Sequence, residues 1–501
     1  MVYAPETGSL QSRGAGDLFR ADHWNGRAVK ETQPSNDPVQ GEVLRGMLRP
    51  EYVFLTLGIV FGLLFLACTP PFQVPDERKH FLRAYQVSEG QLVPVKAESA
   101  TGGYLPVAIG DAAWTFAKLP SHPNNKTSWR EILAASRVRV DNSERAFVPF
   151  PNTAVYSPVA YTPQVLGILL GRLLGLSVLG ILYLSRLSAL VFWLAAVFLA
   201  VRTTPIGKWA FVAVSLLPMT VFLAPSISAD SFLYAVVALS VACALKYSML
   251  DVDLSTGQVW SIVTLSIALA CLKAPYSLLF LVFLLVPISK FRSNRNHLVI
   301  LSCGLFLCVF LILSWTYLAQ STYSPARVTM PPVSPALQLH NMQSHPMTFL
   351  AALGHTYLYL PNLLGIAETT AGRLGWLDVR LPGFILVLAY VALIWSFALI
   401  ESRLSALGPA FKAIQVGLVA LVFFMINVLI YLSWNPVGAR IIEGIQGRYF
   451  LPLLVAAIPI ASMRRRFVFK IGQNTGLYLG AIQLVVLAVS AATIYSRYFR
   501  T

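Results

Sequence analysis

"PEYVFLTLGIVFGLLFLACTPPFQVPDERKH", residues 50–80, opens with an apolar run long enough to cross a bilayer and closes on Pro-Asp-Glu and a cluster of charges. The fold follows from which side of a membrane those charges occupy. Composition first establishes that there is a membrane. Of 501 residues, 56% are hydrophobic and only 12% charged, where soluble domains carry about 25% charged residues. The chain therefore reads as an all-α polytopic membrane protein.

The net charge of +16 does not point to nucleic acid, because the basic residues are scattered over loops between apolar runs. They fit topology signals and contacts to lipid phosphates. The five cysteines (Cys68, Cys243, Cys271, Cys303, Cys308) fall inside or at the edge of apolar runs and suggest neither a loop disulfide nor a thiolate metal site. Residues 1–48 are polar and Gly/Ser/Asn/Pro-rich, reading as a disordered cytoplasmic tail. Arg45 and Arg49 precede the first span and place Pro70 outside.

Threaded by apolar length and basic loops, the chain gives about eleven spans. Residues 49–320 form a first membrane module, with spans near 51–69, 181–201, 209–226 and 231–250, a broken pair at 259–271 and 277–288, and a span at 298–318. This module includes a large outer loop, 70–179, which ends in the interfacial segment "YSPVAYTPQVLGILLGRLLG". A second outer region, 321–381, contains another expected interfacial stretch at 347–367. Residues 382–501 supply the last spans, near 382–400, 411–433, 450–462 and 477–494, and "RRRFVFK" holds the loop before the final one inside.

The Pro-Asp-Glu stretch thus lies just outside the membrane. At about 100° per residue, Asp76, His80 and Arg83 share one face of a helix, with Phe81, Leu82 and Tyr85 on the other. The polar face could point into a cavity. Equally, proline followed by two acids is an ordinary helix start that complements the helix dipole. Asp230, in "SISADSF", opens a span from outside and is open to the same two readings. Lys273 sits between two short apolar runs, where an ammonium is costly unless paired or wet, and an anionic partner or a substrate phosphate would account for it. Arg448 and Tyr449, in "IQGRYFLP", lie at an outer membrane edge, where an arginine can chelate a phosphate or anchor at headgroups. "GRLGWLDVRLP" adds Trp376 and Asp378. No nucleotide-binding glycine loop, serine elbow or HExxH motif occurs.

"PPFQVPDERKHFLRAYQVSEG", "SISADSF", "CLKAPYSLL", "GWLDVRLP" and "IQGRYFLP", in this order, resemble a bacterial family of multispanning proteins of unknown function that is grouped with the GT-C glycosyltransferases. That resemblance implies a GT-C-like fold with interfacial helices in the first outer loop. It also implies transfer of a sugar from a polyprenyl-phosphate donor to a glycan, lipid or protein acceptor of the cell envelope. The expected location is the bacterial cytoplasmic membrane, with the active site on its outer face and membrane lipids as partners. By the same resemblance Asp76 and Asp230 match the two acids of the superfamily. Asp76 would be the base, and Glu77 would orient a neighbour or help hold a metal. Arg448, Lys273 and Arg83 would neutralise the departing phosphate, with His80, Tyr449, Trp376 and Asp378 as further substrate-binding candidates. A metal, if used, would be Mg²⁺ or Mn²⁺ on the hard oxygens of Asp76 and Asp230. A lipid-linked-sugar flippase and a non-enzymatic envelope-assembly scaffold are the alternative functions.

Overall fold

A computed structural model describes residues 49–97, 100–291, 295–324, 333–399, 409–461 and 474–500. The expected cytoplasmic tail (1–48) and "RRRFVFK" lie outside the described residues. The chain is predominantly helical. Six of its described helices are long and apolar enough to cross a bilayer. They are α1 (Pro50–Cys68), α4 (Val178–Thr203), α5 (Ala229–Met249), α7 (Arg295–Ser321), α9 (Pro409–Trp434) and α10 (Thr475–Tyr498). Between them come α2 (Glu77–Ser88), α3 (Thr162–Leu173), α6 (Thr256–Ala270) and α8 (Gly383–Ala398).

Six of the expected spans coincide with these six long helices, and the others fall on shorter or divided helices, several of the divisions lying beside a proline. The segment expected at 209–226 is two helices, Lys208–Ser215 and Pro218–Leu223, because Pro218 cannot continue the first one. The segment at 277–288 begins as a short turn of helix, Ala274–Ser277, and continues as a 3₁₀ helix over Leu278–Leu285. That at 450–462 splits into Leu451–Ala456 and Ile458–Ala461. The stretch 347–367 is likewise split, into Pro346–Leu358 and Leu360–Ala371.

The long loop after α1 departs from an all-α chain. Strands β1 (Val95–Ala97), β2 (Ala100–Pro106) and β3 (Arg145–Pro149) form an antiparallel sheet in the order β1-β2-β3, pairing Gly103 with Val148 and Tyr104 with Phe147. Such short strands are invisible to a reading based on apolar length. A two-stranded ribbon, Arg373–Leu374 with Val379–Arg380, precedes α8.

Local sequence fixes the helix ends near the site. Pro50 starts α1, Glu51 lies in its first turn, and Pro70-Pro71 follow it. Ser228 caps α5, its hydroxyl accepting from Asp230 N. Helix α3 packs on α4 through Gly167 and Gly171. A Cβ on Gly167 would sit 2.6 Å from Ser185 Cα, so this approach requires glycine.

Candidate active site

Asp76 immediately precedes α2 and adopts left-handed backbone angles (φ 61°, ψ 3°), a conformation that costs a non-glycine residue about 1–3 kcal/mol. Its carboxylate makes no capping bond to the helix it starts. The side chain reaches across the chain instead, and Arg448 Nη2 donates to its Oδ2 at 2.7 Å. The helix-start account of Asp76 therefore does not describe its side chain.

Arg448 is held by a 3₁₀ turn, Gly447–Phe450. Gly447 lies so close to Thr370 that a Cβ would meet its backbone nitrogen at 2.2 Å, and Gly447 N donates to Thr369 Oγ1 at 2.8 Å. From this fixed base Arg448 Nε donates to Gln446 Oε1 at 2.6 Å, and Nη1 reaches Asp230 Oδ2 at 3.4 Å. The other oxygen of Asp230 accepts from Lys273 Nζ. Two carboxylates and two cations thus alternate as Asp76–Arg448–Asp230–Lys273, drawn from four separate segments of the chain.

Aromatic side chains enclose the network. Tyr156 stacks on His80 (centroids 5.7 Å apart, 9° between planes), and Lys273 Nζ lies 4.9 Å from the Tyr156 ring centre. His80 Nδ1 is hydrogen-bonded to the Tyr161 hydroxyl at 2.7 Å. The Tyr276 hydroxyl donates to Tyr449 O at 2.7 Å, and the Arg448 guanidinium lies over the Tyr449 ring. Arg448, Asp230 and Lys273 are almost completely enclosed, whereas 37% of the Asp76 side chain is exposed. Asp76 is the member of the network that an incoming molecule can reach. Burial raises its pKa, but the positive charges of Arg448 first and then Lys273 outweigh that and hold the carboxyl below its ordinary value. His80 moves the other way from protonation. Burial first, then the positive charge of Lys273, depresses it to about 3, leaving the imidazole neutral.

The remaining expected residues lie elsewhere. Glu77 is fully buried and paired in two-point fashion with Arg186 of α4 (2.8 and 2.5 Å), and it also accepts from Ile227 N at 3.1 Å. Arg186 donates in addition to Thr69 O and Pro70 O at the end of α1. This pair ties α1, α2, α4 and the approach to α5 together, and it has no route to a substrate. Arg83 donates to Gln86 Oε1 (2.6 Å), Leu92 O (2.7 Å) and Tyr156 O (3.4 Å), fastening the chain after α2. It makes no hydrogen bond to the network. Trp376 donates to Phe72 O and covers Arg78, while Asp378 accepts from Trp376 N, Ser121 N and Arg497. They form a latch between the loop after α1, the loop before α8 and the end of α10.

The divalent-metal reading of Asp76 and Asp230 does not fit this geometry. The Arg448 guanidinium lies between the two carboxylates where an ion would have to sit, and Lys273 takes the remaining Asp230 oxygen. Among the described residues no group of three or more His, Cys, Asp or Glu is placed to hold a metal.

Tyr156, Tyr161, Gln446 and Arg186 were not among the residues singled out from the sequence. Arg186 carried a usable signal, since an arginine inside the apolar run "LGILYLSRLSALVFWLAAV" demands a partner for the same reason Lys273 does. The tyrosines carried none, because their role depends on which loops fold over α2.

Fold and site together define a helical, multispanning membrane protein with a carboxylate–cation network enclosed beneath its first large loop. Residues 59–457 match the model of a family described as predicted membrane protein (DUF2142), and the chain belongs to that family. No curated protein and no solved structure shows significant similarity to it.

Proposed function

We propose that this protein is an integral-membrane glycosyltransferase of GT-C type, moving a sugar from a polyprenyl-phosphate donor to a cell-envelope acceptor on the outer face of the bacterial cytoplasmic membrane. The observation that carries the reading is Asp76. It is strained, uncapped, partly exposed and aimed at an arginine that bridges to a second acid, which is itself paired with a lysine. A carboxylate held ionised beside enclosed cations suits attack by a hydroxyl on a carbon bearing a phosphate leaving group.

In this mechanism the acceptor oxygen bonds to the anomeric carbon while the bond from that carbon to the lipid-phosphate oxygen breaks. The bonding pair leaves with the phosphate, and the acceptor proton passes to Asp76. Arg448 and Lys273 neutralise the departing oxygen. In the resting protein both cations are occupied by carboxylates, so an entering phosphate must compete for them. That exchange releases Asp76 from Arg448 and raises its basicity as the donor binds. Among the residues that line the cleft beside Asp230 and Arg448 are Trp193, Tyr276, Leu451 and Pro452. The cleft has room for little more than a water molecule, about 10 Å³. Entry of a lipid-linked sugar therefore requires it to open. The eleven-span threading, with the N-terminus inside and Asp76 outside, belongs to the same proposal.

The test is to incubate the purified protein with a panel of polyprenyl-phosphate sugars and candidate envelope acceptors. Donor consumption with product formation supports transfer. Transbilayer movement of the same lipids without consumption would replace it with the flippase reading.

A further inference from the structure

Helix α3 has one face committed to the protein. Gln164, Gly167, Ile168 and Gly171 are buried. Its other face is a row of leucines. Leu166 is 59% exposed, Leu169 43%, Leu170 46%, Leu173 83% and Leu174 60%. The spacing i, i+3, i+4, i+7, i+8 makes this one continuous stripe, which is what a helix lying in a membrane interface presents to acyl chains.

A shallow cavity of about 620 Å³, open to the surroundings along most of its surface, borders the stripe, lined by Ser88, Glu89, Arg145, Leu169, Arg172 and Leu173 among others. Its charges are uneven. Arg145 is committed to Glu89 in two-point fashion (3.1 and 2.6 Å), leaving that pair neutral. Arg172, whose guanidinium lies over the Tyr85 ring, uses Nη1 for Ser88 O and Oγ at 3.0 and 3.2 Å. Its charge is not matched by a carboxylate among the described residues. The cavity therefore presents one unbalanced, pre-oriented guanidinium beside an apolar stripe.

We propose that this cavity is a binding site for a phospholipid with a singly charged phosphodiester headgroup of the phosphatidylglycerol type. The phosphate would sit on Arg172 and an acyl chain along Leu166, Leu169 and Leu173. One net positive charge complements one phosphodiester, and the guanidinium offers two-point contact. The leucine stripe selects a lipid over free phosphate. The lipid would hold α3 at the membrane surface and, through Ser88 and Glu89, brace the end of α2. The inference does not depend on the transfer reading.

The test uses the full-length protein in phosphatidylcholine nanodiscs doped with photoactivatable phosphatidylglycerol, with crosslinks located by peptide mass spectrometry. Labelling should concentrate at residues 166–174 and exceed that from photoactivatable phosphatidylcholine by about fivefold, the worth of one lipid-facing basic residue. Arg172→Gln should remove that preference, and Arg172→Lys should restore most of it. Because Arg172 also touches Ser88, the double variant Leu169→Gln/Leu173→Gln, at exposed positions, provides an independent arm and should reduce total labelling. Millimolar inorganic phosphate should leave labelling intact. Equal labelling by both lipids, an Arg172→Gln variant that keeps the preference, unchanged labelling in the double variant, or displacement by phosphate would each overturn the proposal.

Discussion

Asp76 and Glu77 are neighbours in the chain and opposites in the fold. Glu77 is sealed in a two-point pair with Arg186, with a backbone N–H filling out its coordination. Asp76 is strained, 37% exposed in its side chain, and shares Arg448 with a second acid. One residue's step around a helix separates a carboxylate that holds helices together from one that can meet a substrate. Two identical-looking acids in a motif need not share a role. Their partners decide it.

The largest effect should come from the closed pair. Glu77→Gln or Arg186→Met leaves the other charge buried without its counterion, and stability should fall by about 3–5 kcal/mol. The charge-conserving Arg186→Lys cannot serve Glu77 and the two carbonyls at once and should recover only part of that. Denaturant or thermal melts of the detergent-solubilised protein measure this. If Glu77→Gln melts like the parent, the pair is not what fastens α1 to α2 and α4.

At its exposed member, Asp76, the open network should respond in function and not in stability. Asp76→Asn keeps a residue that tolerates left-handed backbone angles, so melting should stay near that of the parent. Under the proposed transfer, turnover should fall by roughly 10²–10⁴ with donor binding retained. Lys273→Met should weaken donor binding, and it should also cost stability because Asp230 is left enclosed with Arg448 as its remaining cation. The comparison breaks if Asp76→Asn destabilises as much as Glu77→Gln, or if turnover survives Asp76→Asn.

This contrast also marks what the sequence disclosed. Each of the long described helices was legible, because an apolar run of about twenty residues has few other uses. Asp76, Asp230, Lys273 and Arg448 were legible as charges in improbable places. Their meeting was not, because it joins segments separated in the chain by 43 to 372 residues. Face arithmetic along α2 set Asp76, His80 and Arg83 together. The fold buries both faces of the helix, and it turns Arg83 away to the carbonyls of Leu92 and Tyr156. The small sheet of the first loop was missed because strands of three to seven residues leave no apolar run to count.

The smallest effect concerns His80, and it separates the two regions by pH. The imidazole is buried against Tyr156 and Tyr161, faces Asp76, Asp230, Lys273 and Arg448, and is depressed to about 3. In the unfolded chain it titrates near 6.5. Between these values the unfolded chain takes up a proton that the folded one refuses. The neutral histidine's contribution is therefore complete above about pH 6.5 and is lost as pH falls toward 3. The slope approaches about 1.4 kcal/mol per pH unit, or roughly 2 kcal/mol between pH 6.5 and 5. The lowered carboxyl of Asp76 acts in the same direction, but only below its ordinary range near 3.8, and it is screened by exposure. Melts between pH 7 and 5 thus isolate the histidine. The parent should lose stability across that interval, and His80→Gln should lose less by about 2 kcal/mol, whereas Asp76→Asn should track the parent. Parallel curves for the parent and His80→Gln would mean that His80 takes up its proton in the folded protein as readily as in the unfolded chain, gaining a charge as pH falls through about 6.5. The network would then carry a third cation against its two acids, and Asp76 would be a weaker base than the neutral arrangement makes it.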